Sequence, residues 1–141
     1  MPSQLEKKRK TSHTKIINNK IVMPARNVLG TDLKTCSCNP MTGWYRDGTC
    51  RTEISDQGMH TVCAVMTEQF LSYSKAQGND LSTPQIGFPG LKKDDHWCLC
   101  APRWQEAFND GMAPLVNLEA TEESTLKLID IEILKKFSHN Q

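Results

Sequence analysis

HTVCAVMTEQFLSYSKAQG, residues 60–78, decides how this chain is read. Met59, Val62, Cys63, Met66, Phe70 and Tyr73 recur at three- and four-residue spacings, and Glu68, Ser72 and Lys75 fall off that line. An apolar stripe of this period predicts one principal helix over about 60–77. Thr61 suits its N-cap and Gly78 the position just past its end.

Outward from that helix the pattern changes. Downstream, 78–93 holds Gly78, Pro84, Gly87, Pro89 and Gly90, a long loop of the kind that often binds ligands or partners. Asp95–Ala101 then alternates as a strand, with Trp97, Leu99 and Ala101 on one face and His96, Cys98 and Cys100 on the other. Pro102 opens a short helix carrying Trp104, Ala107 and Phe108, and Gly111 ends it. Leu115–Glu119 is a further strand candidate, Thr121 caps a short turn, and Asp130 caps a last helix built on Ile131, Leu134 and Phe137. Upstream, Asn27–Leu29 is a short strand candidate. Asp47-Gly48, between Trp44–Arg46 and Thr49–Arg51, predicts a two-residue hairpin that sets Tyr45 opposite Cys50. There is no regular alternation of strand and helix. The expected class is therefore α+β: a single compact domain with a small, mainly antiparallel sheet, the principal helix and short C-terminal helices.

The 141 residues are enough for one domain with its own core. Net charge is +1, but residues 1–26 hold seven Lys/Arg and one acid, giving +6, while ten basic and fifteen acidic residues leave −5 on the rest. The organisation expected is a basic, flexible arm over 1–26 and a globular domain over 27–141. An arm of that charge suits an acidic partner, while a net charge of only +1 over the whole chain disfavours a nucleic-acid binder. No apolar run approaches a membrane span, and the N-terminus lacks the apolar segment of a secretory signal. A cytoplasmic location with reduced thiols follows as an expectation, under which six cysteines point to metal binding, reactivity or burial rather than disulfides.

NVLGTDLKTCSCNPMTGWYRDGTC, HTVCAVMTEQFLSYSKAQGNDLSTP and FPGLKKDDHWCLCAPRWQEAF together resemble the uncharacterised bacterial family known as domain of unknown function 2237. The resemblance runs from about Asn27 to Phe137. It implies one conserved bacterial domain and brings no activity. It also implies that His96 and Cys38 are not essential ligands, because the family usually has another basic residue at the first position and often no cysteine at the second.

The candidate chemistry rests on His60, Cys63, Cys98 and Cys100. Residues two apart on a strand have Cα atoms about 6.6 Å apart, so a Cys98–Cys100 disulfide would be strained. Their sulfurs share a side and can converge to the roughly 3.7 Å that a tetrahedral zinc needs, although a lone Cys-x-Cys on a strand is a weak metal signal. His60 and Cys63, three apart near a helix start, suit a histidine-assisted reactive thiol. If the Cys63 stripe packs on the Cys98/Cys100 face, the four residues converge into a zinc site or a thiol site, with Cys36 and Cys50 as possible additions. The competing reading is a non-catalytic ligand- or protein-binding module with buried cysteines, its 78–93 loop forming the contact. No P-loop, Rossmann fingerprint, HExxH or GxSxG is present, so nucleotide, zincin and α/β-hydrolase readings drop out.

Overall fold

A computed structural model describes residues 15–17, 20–22 and 24–139. Two short strands, β1 (Lys15–Ile17) and β2 (Lys20–Val22), pair antiparallel. The rest of the basic arm up to residue 23 lies outside the described residues. Arg26, assigned from the sequence to the arm, is buried in the body and ion-paired with Asp32 at 3.2 Å.

The central element is a three-stranded antiparallel sheet in the order β4-β3-β5, from β3 (His60–Val65), β4 (His96–Cys100) and β5 (Leu115–Val116). Helix α1 (Glu68–Ala76) follows β3, α2 (Ala101–Asn109) follows β4 directly, and α3 (Ile131–Lys136) closes the chain. Two 3₁₀ turns, Leu118–Ala120 and Glu123–Lys127, lie between β5 and α3. The architecture is α+β with a small antiparallel sheet, as the sequence predicts.

The principal helix is shorter than predicted. His60–Val65 is a strand, and the helix begins only after Thr67, whose hydroxyl accepts from the Phe70 N–H at 3.0 Å. Residues 61–65 are buried on both faces of the sheet, so they form an unbroken apolar run that periodicity alone cannot separate from a buried helix. Thr61, Val62 and Val65 are β-branched, and they tip such a run toward strand. Gly78, at φ +93°, ends α1 in the left-handed conformation the sequence assigns it.

The sheet divides the core. Val62, Ala64, Trp97 and Leu99 pack with Trp104, Ala107 and Phe70 in the main apolar cluster. Trp104 is fully buried, and its indole N–H donates to the Pro114 carbonyl at 3.1 Å. Cys63 and Cys98 lie in a second cluster with Cys36, Cys50 and Ala120. The segment 31–50 covers that second side. It is irregular, and the predicted hairpin at Asp47-Gly48 does not form. The Gly48 N–H bonds the Thr42 carbonyl, Asp47 accepts from Thr49 N–H at 3.0 Å, and Tyr45 packs under the Arg51 guanidinium instead of pairing with Cys50. Asn27–Leu29 is likewise not a strand; Arg26 and Asn27 make only isolated bridges, to Asp32 and Glu122.

Candidate functional site

The register between β3 and β4 positions every candidate residue. Cys63 lies opposite Cys98, and His60 lies opposite Cys100. Cys98 and Cys100 are two apart and share a face. His60 and Cys63 are three apart, which in a regular strand would put them on opposite faces. The ladder is irregular between His60 and Val62, and that slip restores them to one side. All four residues predicted from the sequence therefore sit on the same side of the β3–β4 pair, held by a strand where a helix was expected.

Their chemistry differs. Cys63 is bonded to Cys36 and Cys98 to Cys50. The expectation of six reduced thiols is thus corrected: four are paired, and only Cys38 and Cys100 are free. The Cys36, Cys50 and Cys63 sulfurs all lie within 4.8 Å of one another, so the two disulfides are stacked in one buried cluster. Metals bind thiolates, and a disulfide sulfur is not one. The grouping Cys98, Cys100, Cys63 and His60 is therefore not assembled as a ligand set in this state. The same bond removes Cys63 as a nucleophile and separates it from His60 chemically.

His60 instead serves Cys100. Its Nδ1 lies 2.7 Å from Asp56 Oδ1, and Cys100 is its cross-strand partner, the sulfur and the ring both facing Gly58. Asp56 is buried. Its Oδ2 accepts from Thr52 Oγ1 at 2.8 Å and from the His60 N–H at 3.0 Å. Burial pushes the Asp56 carboxyl up, and these hydrogen bonds, His60's first, more than offset it and hold it below the usual carboxylate range. The His60 pKa is raised to about 9, chiefly by the neighbouring Cys100, with partial burial opposing and the Asp56 hydrogen bond adding to the rise.

Local sequence explains the placement. Residues 53–59 fold as successive tight turns, with Asp56 N–H on the Glu53 carbonyl and Met59 N–H on the Asp56 carbonyl. Met59, at φ +50°, redirects the chain into β3. Gly58 lies flat on the pair: a Cβ there would come 2.8 Å from His60 Cε1 and 3.4 Å from the Cys100 sulfur. Cys100 is both the last residue of β4 and the N-cap of α2, a nine-residue helix.

Trp44 stacks on the His60 ring, with centroids 5.9 Å apart and planes at 21°. Trp44, Arg46 and His60 line a cavity of about 340 Å³. Of the sequence candidates, His60 and Cys100 come together; Asp56 was missed. Its signal is a carboxylate four residues before His60, where an i, i+4 turn delivers it to the imidazole. The 78–93 loop carries Asp80, which accepts from Ser82 and Thr83 N–H groups, Phe88 edge-on to Trp97, and the fully exposed Ile86.

These features define a small α+β protein with a free thiol, an imidazole and a carboxylate gathered where β4 runs into α2. The profile of the family described as "Uncharacterized protein conserved in bacteria", domain of unknown function 2237, matches residues 26–138, and the chain belongs to that family. No curated protein sequence matches it. Among the described residues no helix is long and apolar enough to cross a membrane.

Proposed function

We propose that this protein is a thiol-dependent enzyme in which Cys100 is the nucleophile, His60 its proton partner and Asp56 the residue that positions His60. The observation carrying this reading is the grouping itself: a free thiol at a helix N-terminus, across the strand pair from an imidazole whose Nδ1 rests 2.7 Å from a buried carboxylate. Cysteine nucleophiles are activated in this way, with the base oriented by a third group. Asp56 takes the proton of Nδ1 as a hydrogen bond and so leaves Nε2 to exchange a proton with the sulfur.

The chemistry follows from the parts. The Cys100 sulfur adds to an electrophilic carbonyl carbon, forming a C–S bond as the bond to the leaving group breaks. His60 hands its proton to the leaving group. Water then adds to the same carbon while His60 takes a proton from it; the C–O bond forms, the C–S bond breaks, and the thiol is restored. Cys36–Cys63 and Cys50–Cys98 serve as scaffold, tying the 31–50 segment to the sheet that carries His60 and Cys100. Paired cysteines favour an oxidising compartment over the cytoplasm.

Cys38 is the internal reference for a test, since it is free and more exposed than Cys100. With iodoacetamide at pH 7 and site-resolved mass spectrometry, Cys100 is expected to react at least about tenfold faster than Cys38, because the thiolate is the reacting form. His60→Gln brings its rate down to that of Cys38. A wild-type Cys100 no faster than Cys38 would refute the assignment.

A further inference from the structure

The cavity beside His60 has a chemical character that the relay does not use. Arg46 and Trp44 line it with His60. Trp44 is 41% exposed, and its indole N–H donates to Glu53 Oε1 at 3.3 Å, which holds the ring against the imidazole. Arg46 is also held in place: its Nη1 donates to the Gly43 carbonyl at 2.7 Å, and its guanidinium carbon lies 5.1 Å above the Trp97 ring. Its backbone is in the left-handed region at φ +54°, unusual for a non-glycine residue. Gly43 is required for this turn, since a Cβ there would strike the Thr49 carbonyl oxygen at 2.2 Å.

The neighbouring carboxylates are already engaged. Asp47 is paired with Arg51 at 2.6 Å and bonded to Thr49. Glu53 takes the Trp44 N–H and the Ser55 hydroxyl, and Asp56 is closed behind His60. Among the described residues, Arg46 makes no ion pair. A cation fixed in a cavity and left without an acid is suited to an anion brought in from solution, and the fork of a guanidinium fits a carboxylate.

We infer that the substrate of Cys100 carries an anionic group, a carboxylate or one of similar charge, bound by Arg46 while its body rests on Trp44. This rests on the reactive-thiol reading above and adds the substrate class to it. His60 belongs both to that cavity and to the strand pair that carries Cys100. The site selects small anionic acyl compounds over neutral ones.

A pair of alkylating reagents of nearly equal size tests this. Iodoacetate carries the carboxylate and iodoacetamide does not. The quantity to read is the ratio of the two rate constants at Cys100, divided by the same ratio at Cys38. At low ionic strength this normalised ratio is expected to be about fivefold or more, from one added charge–charge contact at a partly exposed site. It falls toward unity as salt is raised. Arg46→Gln lowers it several-fold, and Arg46→Lys, which keeps the charge, retains part of it. A normalised ratio near one at low salt in the wild-type protein overturns the inference without any variant, and so does a ratio that Arg46→Gln leaves unchanged. The two readings fail differently: fast iodoacetamide labelling of Cys100 with no preference for iodoacetate leaves the thiol relay standing and removes the anion site. Slow labelling of Cys100 by both reagents removes both.

Discussion

Two positions of one strand pair, three residues apart on β3, meet opposite fates. At Cys63↔Cys98 the side chains face each other across the ladder, yet neither bonds the other; each is taken by a cysteine from the covering segment, Cys36 or Cys50. At His60↔Cys100 the same side of the sheet carries a free thiol and an imidazole, covered by Gly58 and backed by Asp56. Strand geometry alone treats the two positions alike. What separates them is what the loops bring: two cysteines at one end, a glycine and a carboxylate at the other. A cysteine's role here is set by the segment that covers it.

The sharpest way to break this comparison is to remove sulfur from each end. Cross-linking removes loop entropy from the unfolded chain, and with separations of 27 and 48 residues the two disulfides contribute on the order of 3.5 and 4 kcal/mol. Cys50→Ala with Cys98→Ala is therefore expected to lower the urea-unfolding free energy by about 4 kcal/mol. Cys100→Ala closes no loop and is expected to cost about 1 kcal/mol or less while abolishing fast labelling. Equal losses at the two ends would mean that the free thiol is as structural as the bonded ones.

How much of this was legible follows from the same residues. The fold class, the strand at His96–Cys100, the Pro102 start of α2 and the Asp130 cap of α3 were readable because alternation, a proline and a capping aspartate are local signals. The strand His60–Val65 was not, because burial on both faces erases alternation and the run continues in phase into α1. The convergence of His60, Cys63, Cys98 and Cys100 was anticipated, but from a helix; the ladder irregularity that creates it leaves no mark in the sequence. The disulfides escaped for another reason. Cys36 and Cys50 lie in an irregular segment with no period, and connectivity among six cysteines cannot be deduced from spacing. Asp56 escaped because its contact depends on the turns of 53–59, which nothing but the fold specifies.

A gentler perturbation addresses only the free-thiol end. Gly58→Ala places a methyl group 2.8 Å from His60 Cε1 and 3.4 Å from the Cys100 sulfur, so the imidazole has to move. Crowding of this kind costs about 1–2 kcal/mol. The expected result is a modest loss of stability with a clear slowing of Cys100 labelling relative to Cys38, and no new thiols by native titration, because Cys63 and Cys98 stay bonded. Labelling of Cys100 at the wild-type rate would show that His60 tolerates displacement and does not govern the sulfur.

The smallest effect separates the ends by pH. Disulfide cysteines do not titrate, so the locked end contributes equally at all pH values where the bonds persist. His60 does titrate. Its pKa is raised from 6.5 to about 9 in the folded chain, above its unfolded value. The group therefore binds its proton more tightly when folded, and its contribution is full below about 6.5 and is lost as pH rises through about 9. The side chain is 35% exposed, so solvent screening holds this contribution to about a few tenths of a kcal/mol. The gap in unfolding free energy between wild type and His60→Gln, measured at pH 6 and again at pH 9.5, is expected to narrow. Because Cys100 is the leading cause of the raised pKa, Cys100→Ala should remove most of the pH dependence. A gap that widens with pH would mean that His60 is held neutral in the folded protein, and the imidazolium beside the sulfur would have to be abandoned.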